Sequence, residues 1–125
     1  MSDLIYPKLS YKIVGTLYDV YNAIGGGYQE KYYQRALTKE LAEKGIKFKK
    51  QLPVKLVYKG DNLGIYYLDF LVEEKIILEI KVAPKFYPKD VKQVLGYLKA
   101  KNLELGILAC FGRNGLKYKR ILKGN

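Results

Sequence analysis

One stretch of alternating apolar residues, from Tyr66 to Val82 (YYLDFLVEEKIILEIKV), constrains the fold more than any other part of this chain. Apolar residues recur at every second position on both sides of a polar turn, which predicts two antiparallel strands. Strands with so few polar residues are typical of the buried centre of a sheet. The alternating residues are Tyr66, Leu68, Phe70 and Val72 on one face of the first strand, and Ile76, Leu78, Ile80 and Val82 on one face of the second.

The length of the turn decides which polar side chains meet across these two strands. A three-residue loop at positions 73–75 pairs Val72 with Ile76. Asp69 then falls directly opposite Glu79, whereas a two-residue loop would place it on the other face of the sheet. We predict the three-residue loop and therefore two facing carboxylates.

Two carboxylates that face each other in a buried sheet repel, so they either share a proton or bind a cation. Hard oxygen ligands of this kind suit Mg²⁺ or Mn²⁺. Lys81 lies two residues beyond Glu79 and shares its face, because side chains alternate with period two. Two acids and a lysine around a divalent ion can cleave a phosphodiester. The alternative is a strand in which Lys81 forms a salt bridge with one of the carboxylates.

The overall composition excludes several other kinds of chemistry. The chain contains no histidine, which removes histidine metal ligands, Ser-His-Asp triads and histidine general bases. The lone Cys110 excludes an internal disulfide and a four-cysteine zinc site, and its apolar neighbours predict a buried core position. A length of 125 residues with 49% hydrophobic content predicts a single domain over residues 1–125. Without a membrane-spanning run or a signal-peptide pattern, we expect a cytoplasmic location.

The charge of +11 indicates a polyanionic partner, although a lysine-rich surface can also serve solubility alone. Residues 81–123 contain 11 basic and two acidic residues, whereas residues 61–79 contain five acidic residues and one lysine. An acidic pocket beside a basic half is suited to a metal-dependent enzyme on nucleic acid. The candidate phosphate-contacting residues are Lys85, Lys89, Lys92, Arg113, Lys117, Lys119 and Arg120.

The remaining segments read as helices and strands. A first helix with Ser10 as its N-cap is expected to end at Gly25-Gly26-Gly27. A second, from Tyr28 to Lys44, has Glu30 at one end of its inward face, where a lone glutamate is more often a first-turn residue favoured by the helix dipole. Further elements are a strand over Ile46–Tyr58, a helix from Pro88 to Lys101, a strand over Glu104–Phe111 and a short element over Leu116–Leu122. This order predicts an α/β sandwich around a mixed sheet.

A series of short motifs runs through the chain in a fixed order. They are Gly27-Tyr28-Gln29-Glu30-Lys31-Tyr32-Tyr33, which reads G-x-x-E-x-x-Y, then Arg35-Ala36-Leu37, Tyr58-Lys59-Gly60, Leu68-Asp69-Phe70 and Glu79-Ile80-Lys81. From about Tyr11 to Leu122, the chain resembles the GxxExxY protein family within the PD-(D/E)xK nuclease superfamily. The resemblance implies a restriction-endonuclease-like α/β/α core with a central mixed sheet flanked by helices. Leu68 departs from the proline of the first catalytic motif.

The resemblance also implies a metal site with a catalytic lysine. Asp69 and Glu79 would hold Mg²⁺ or Mn²⁺ together with the backbone carbonyl of Ile80. Glu30 would be an additional acid that contacts the metal directly or through water. Lys81 would orient or activate the attacking water and stabilise the phosphate.

Two further residues match a signature of RecB-like nucleases. Gln93 and Tyr97 fit its Q-x-x-x-Y pattern, in which these residues help to position DNA and the lysine. The function implied is a divalent-metal-dependent deoxyribonuclease, and compact Holliday-junction resolvases of the superfamily imply a homodimer. The alternative is a non-catalytic nucleic-acid-binding module, or a subunit of a complex, that retains the nuclease fold.

Overall fold

The computed structural model describes residues 5–124, which form helices and strands in the order predicted from the sequence. The final element is a strand. Within residues 5–124, no helix is both long enough and apolar enough to cross a membrane. The elements are α1 (Pro7–Ile24), α2 (Glu30–Glu43), β1 (Phe48–Tyr58), β2 (Asp61–Val72), β3 (Ile76–Lys81), α3 (Pro88–Lys101), β4 (Leu105–Phe111) and β5 (Leu116–Leu122).

The five strands form one mixed sheet in the order β1-β2-β3-β4-β5. Strands β3 and β4 are parallel and are joined through α3, while the other neighbouring pairs are antiparallel. Helices α1 and α2 pack on one face of the sheet, and α3 packs on the other. The structure therefore confirms the predicted α/β class, with a central mixed sheet flanked by helices.

The two parallel strands are the most buried part of the sheet. All of β4 is buried, and so is all of β3 except Lys81. Near-continuous apolar runs are expected for parallel strands that helices cover on both faces. Cys110 is 1% exposed in β4, which confirms its predicted place in the core.

Proline marks the start of two helices. Helix α3 begins at Pro88, as predicted, because a first-turn residue needs no N–H for the helical hydrogen bonds. Helix α1 likewise begins at Pro7, after Tyr6 in the left-handed conformation, so the prediction of Ser10 as its N-cap is wrong. Ser10 lies inside the first turns of α1, where its buried hydroxyl accepts a hydrogen bond from Arg120.

Strand β2 changes the face on which it is buried at Asp69. Before this residue Leu68 packs toward α3, and after it Phe70 packs toward α1 and α2. The left-handed backbone of Gln51 (φ 55°), opposite Asp69 in β1, interrupts the regular pairing and accounts for the change. The prediction that four apolar residues share one face of this strand, namely Tyr66, Leu68, Phe70 and Val72, is therefore wrong.

A close approach of α3 to β4 requires glycine at position 106. A Cβ atom there would lie 2.6 Å from Val94 Cγ1. We expect Gly106→Ala to lower the free energy of unfolding by about 1–3 kcal/mol through overpacking, as measured by urea denaturation. Gly15→Ala in α1, where the added methyl meets nothing within 4 Å beyond the adjacent residues and backbone of its own helix, should instead stabilise by up to ~1 kcal/mol. Equal effects of the two substitutions would contradict the close approach.

Candidate active site

The regular pairing of β2 with β3 stops one residue before the two predicted carboxylates. It runs from Val72 opposite Ile76 to Phe70 opposite Leu78, which confirms the three-residue loop and the register. Beyond this point, side chains replace the backbone ladder. Glu79 Oε1 accepts a hydrogen bond from the Asp69 N–H at 2.6 Å, and Asp69 Oδ2 accepts one from the Ile80 N–H at 2.9 Å. The two carboxylates therefore meet in the gap between β2 and β3.

Both carboxylates are removed from water, since Asp69 is 8% exposed and Glu79 is 2% exposed. Burial, and next the charge of Asp69, raise the pKa of Glu79 to about 8. Burial also raises the pKa of Asp69, although the Ile80 N–H, Lys81 and Gln34 act in the opposite direction. The pair thus resists carrying two negative charges unless a proton or a cation is shared between its members.

Gln34, which the sequence analysis missed, connects this pair to α2. Its Nε2 donates to Asp69 Oδ1 at 2.9 Å and lies 3.4 Å from Glu30 Oε2. Glu30 is the first residue of α2, and burial followed by the charge of Asp69 raises its pKa. It is therefore both a first-turn residue and a neighbour of the carboxylate pair. The signal that could have revealed Gln34 is its spacing of four residues from Glu30, which places both side chains on one side of the helix.

On the opposite side, Lys81 is held by α3 and not by a carboxylate. Its Nζ donates to Gln93 Oε1 at 3.3 Å, and among residues 5–124 it forms no ion pair. Its positive charge nevertheless lowers the pKa of Asp69, Glu79 and Glu30, so the ammonium lies near all three acids. The salt-bridge interpretation of Lys81 is therefore not observed.

Tyr97 lies beside the same group of side chains. Its hydroxyl donates to the backbone oxygen of Tyr67 at 3.5 Å, and its ring packs edge-on against Tyr66 with the centroids 5.1 Å apart. Burial raises its pKa well above the ordinary value, with smaller contributions from Glu79 and Asp69. In this structure Tyr97 supports the backbone of β2 immediately before the carboxylate gap.

The chemistry of the donors fits a divalent cation. Two buried carboxylates supply hard oxygen atoms, and a bound cation would relieve the repulsion that raises their pKa values. Glu30 is linked to the pair through Gln34 and does not join it directly, since no group of three or more acidic or cysteine side chains in the described part of the chain is arranged to hold an ion. The oxygen atoms that this site offers to a cation are those of the Asp69 and Glu79 carboxylates.

Four of the seven predicted phosphate-contacting residues line two clefts, and the other three lie elsewhere. Lys89 and Lys92 line a cleft of about 480 Å³ together with Lys81 and Gln93. Arg113 and Lys117 line a second cleft of about 550 Å³, which begins at Val82, the residue after Lys81. Lys89 and Lys92 therefore lie next to Lys81, whereas Arg113 and Lys117 belong to a separate cleft.

The other three basic residues contact protein atoms. Lys85 lies 5.4 Å from the ring of Tyr87, and Lys119 lies 6.0 Å from the ring of Phe86. The guanidinium of Arg120 donates to Ser10 Oγ at 2.8 Å and to the backbone oxygen of Ile5 at 2.9 Å. Arg120 therefore anchors the start of α1, a structural role that the sequence did not predict.

The glycine run between α1 and α2 supports the second cleft. A Cβ atom on Gly26 would lie 2.5 Å from the backbone oxygen of Gly112 and 2.7 Å from Cα of Arg113. Tyr21 also donates to the Gly112 oxygen, at 2.6 Å. Tyr33 closes the other side by donating to the Gly25 oxygen at 2.7 Å and stacking on Phe111. The glycine run therefore allows the connection between α1 and α2 to pack closely against the loop that carries Arg113.

The raised pKa of Glu79 predicts a pH-dependent stability in EDTA. Between its ordinary pKa of 4.5 and the folded value of about 8, the folded state holds more protons than the unfolded state. The contribution of Glu79 to the free energy of unfolding is therefore fully present below about pH 4.5 and should be lost as the pH rises through about 8. Glu79→Gln should flatten this fall and be more stable than wild type above pH 8, on the order of a few kcal/mol by urea denaturation.

The exposed Glu104 provides the matched control. Glu104→Gln should leave the pH profile of the free energy of unfolding as it is in wild type. Parallel profiles for wild type and Glu79→Gln would contradict the burial of an ionisable carboxyl at position 79.

Proteins of known structure share this fold. The structure superposes on two solved structures with TM-scores above 0.5. One is the crystal structure of SSO0001, with a TM-score of 0.59 and 17% identity, over 96% of this chain and 60% of that chain. The other is an alkaline exonuclease (LHK-Exo) from Laribacter hongkongensis, with a TM-score of 0.56 and 12% identity, over 99% of this chain and 73% of that chain.

At these identities the two structures show a shared fold. The chain spans 60% of the length of SSO0001. No curated protein matches the sequence at a significant level. A family model described as the PD-(D/E)XK nuclease superfamily matches residues 7–121. Since that match covers most of the chain, the protein belongs to the PD-(D/E)XK nuclease superfamily.

Proposed function

We propose that the protein is a divalent-metal-dependent nuclease that hydrolyses phosphodiester bonds in DNA. The observation that carries this proposal is the buried pair of Asp69 and Glu79, held in the gap between two strands. Beside the pair lies Lys81, whose ammonium bonds to Gln93 and forms no ion pair within residues 5–124. The direct test is incubation of the pure protein with single-stranded, duplex and branched DNA, with Mg²⁺ or Mn²⁺ and with EDTA. Cleavage that requires the metal supports the proposal, and no cleavage in any mixture contradicts it.

Asp69, Glu79 and the backbone carbonyl of Ile80 would hold the ion. Glu30 would contribute through water, since Gln34 lies between it and Asp69. When bound, the divalent ion polarises the scissile phosphate and lowers the pKa of a bound water. The protein's part is to keep both carboxylates oriented, and the hydrogen bonds from Gln34 and the backbone N–H groups do so before any ligand arrives.

Lys81 is the residue placed to act on the reacting phosphate. An ammonium in a partly buried site stabilises negative charge as it develops on phosphate oxygens, and it can also orient the attacking water. Gln93 accepts one of its hydrogen bonds and so limits the directions in which it can point. Tyr97 positions β2 and not the reacting atoms, because its hydroxyl contacts the Tyr67 backbone.

The basic residues that line the two clefts would hold the DNA. Lys89 and Lys92 lie along one cleft, and Arg113 and Lys117 lie along the other. Contacts of lysine and arginine with phosphates position a nucleic acid without reading its sequence. DNA is proposed over RNA because the motifs of this chain resemble those of DNA nucleases.

We place the chain in the GxxExxY group on the pattern from Gly27 through Glu30 to Tyr33. The two motif side chains have distinct surroundings that give the pattern a physical meaning. Glu30 neighbours the carboxylate pair, while Tyr33 is fully buried and donates to the Gly25 oxygen. The motif would then combine one acid for the site with one ring that supports the glycine run.

A non-catalytic nucleic-acid-binding module is the second candidate. One observation favours it: within residues 5–124, no three acidic or cysteine side chains are arranged to hold an ion. A pure binder, however, gains nothing from buried carboxylates beside phosphate-binding lysines, because the negative charges repel the ligand. DNA binding without metal-dependent cleavage would favour this second candidate.

Replacement of Lys81 separates a catalytic from a binding role. We expect Lys81→Ala to reduce the cleavage rate by about 10²–10³, as for the loss of one preorganised charge stabiliser. DNA affinity and melting temperature should stay close to wild type, because Lys81 forms no ion pair in the described residues. Lys81→Arg should rescue the rate poorly, since a planar guanidinium does not replace a compact ammonium. Lys101→Ala, at the far end of α3, is the control, and an unchanged rate in Lys81→Ala would refute the assignment.

Replacement of Asp69 tests the metal site by a measurement other than activity. Mn²⁺ should raise the melting temperature of the wild type, because an ion that binds only the folded state stabilises it, by about 2.7 kcal/mol at a 100-fold excess over Kd. Asp69→Asn should lose this response, lose cleavage and keep its DNA affinity. Asp61→Asn, at the exposed start of β2, is the matched control and should respond to Mn²⁺ as wild type does. A full Mn²⁺ response in Asp69→Asn would place the ion elsewhere.

A further inference from the structure

The hairpin of β1 and β2 extends beyond the helices and carries apolar side chains on its surface. Residues 55–65 are all exposed. The proposed nuclease chemistry uses none of them. The large apolar residues of this region, Leu56, Val57, Tyr58, Leu63, Ile65 and Tyr67, are between 43% and 59% exposed.

The cross-strand pairing divides this hairpin into two faces. Val54 pairs with Tyr66, and both pack toward α3. The alternate pairs, Pro53 with Tyr67 and Lys55 with Ile65, must lie on the other face, because directly paired residues share a face and neighbours alternate. All four of these residues are exposed, so neither α1 nor α2 covers them. We call Pro53, Lys55, Ile65 and Tyr67 the outer face of the hairpin.

The outer face leads directly to the candidate active site. Asp69 follows Tyr67 by two residues, so the two Cα atoms are about 7 Å apart along the strand. Asp69 accepts a hydrogen bond from Gln34 of α2, the helix on the side away from α3. From the α3 side, Tyr97 donates to the backbone oxygen of Tyr67 and supports the strand at this point. A ligand that lies on the outer face therefore continues into the gap between β2 and β3.

The charge of the hairpin favours a polyanion over a second copy of this chain. Residues 49–67 contain four lysines and one acidic residue, Asp61 at the tip of the hairpin. Lys49 is paired with Glu74, while Lys50, Lys55 and Lys59 form no ion pair with the residues that the structure describes. A second copy would bring another +11 against the same surface. Proline and lysines on the edge strand β1 also discourage pairing with a further strand.

We propose that the outer face of the hairpin is a stacking platform for unpaired bases, so that the substrate is single-stranded next to the scissile bond. This inference rests on the proposed nuclease function and adds the form of the substrate. An exposed aromatic ring with apolar neighbours binds bases whose faces are accessible, and in a duplex those faces are already stacked on each other. Lys55 lies on the same face as the ring of Tyr67 and can contact the sugar-phosphate backbone that joins the bases.

Tryptophan fluorescence gives a direct readout, because the chain contains no tryptophan. In EDTA, the emission of Tyr67→Trp should fall when a single-stranded oligonucleotide is added and should stay constant with a blunt duplex of the same sequence. Tyr11→Trp on α1, where the native ring is 81% exposed, is the matched control and should respond to neither. A constant emission of Tyr67→Trp with single strands that bind would overturn the proposal.

Affinity measured by fluorescence anisotropy, also in EDTA, provides the second arm. Tyr67→Ala should weaken binding of single-stranded DNA by roughly fivefold or more and leave duplex binding unchanged, while Tyr67→Phe should restore it. Wild-type affinity in Tyr67→Ala would overturn the stacking platform alone, whereas a wild type that binds no nucleic acid would overturn the proposed function as well. A wild-type dimer that Tyr67→Ala converts to monomers in sedimentation would assign the outer face to a second copy and overturn the proposal.

Discussion

The exchange of hydrogen bonds between Asp69, Glu79 and the backbone of the facing strand is the constraint on which the site depends. Where β2 and β3 separate, backbone N–H groups would be left buried without partners, at a cost of about 1–3 kcal/mol each. The carboxylates supply these partners, and in the described part of the chain no buried side-chain polar atom lacks one. The same arrangement concentrates two acids in a dry place. The two carboxylates that replace the strand pairing therefore also need a proton or a cation to offset their charges.

The two faces of the sheet contribute different chemistry to this gap. Helix α2 brings Gln34 and Glu30, which extend the acidic side of the site by hydrogen bonding. Helix α3 brings Gln93, which holds Lys81 without neutralising it. A lysine that paired directly with a carboxylate would have little charge left for a substrate. Its placement against a neutral amide keeps the ammonium close to the acids and available to a phosphate.

The charge distribution explains how an acidic pocket can serve a polyanion. Burial and mutual repulsion raise the pKa values of Asp69 and Glu79, so the pair carries less than two negative charges in the absence of a cation. The surface around it is basic, in the clefts that contain Lys89 and Arg113 and along the hairpin. A strand of nucleic acid thus meets positive charge on its approach and the carboxylates only at the gap. The glycine run supports one of these clefts through close packing of Gly26 against the loop at Gly112.

Local sequence determined a large part of this protein. Alternation and turn length placed Asp69 opposite Glu79, because a slip of one residue would have exposed the apolar face of a buried strand. Pro88 set the start of α3, since a proline is tolerated in the first turn and not beyond it. The composition removed histidine and disulfide chemistry, and the motif order led to the superfamily that the family model matches.

Only the tertiary structure decided the features that depend on distant neighbours. The change of face at Asp69 comes from the left-handed backbone of Gln51 in another strand, which the pattern of β2 could not reveal. Gln34 bonds to Asp69, and Arg120 bonds to Ser10 near the start of α1, so each side chain reaches a partner at least 35 positions away in the sequence. The exposure of the hairpin likewise follows from where the helices end in space. Sequence periodicity reports which residues can share a face, but what covers that face is settled only by the packing of the whole chain.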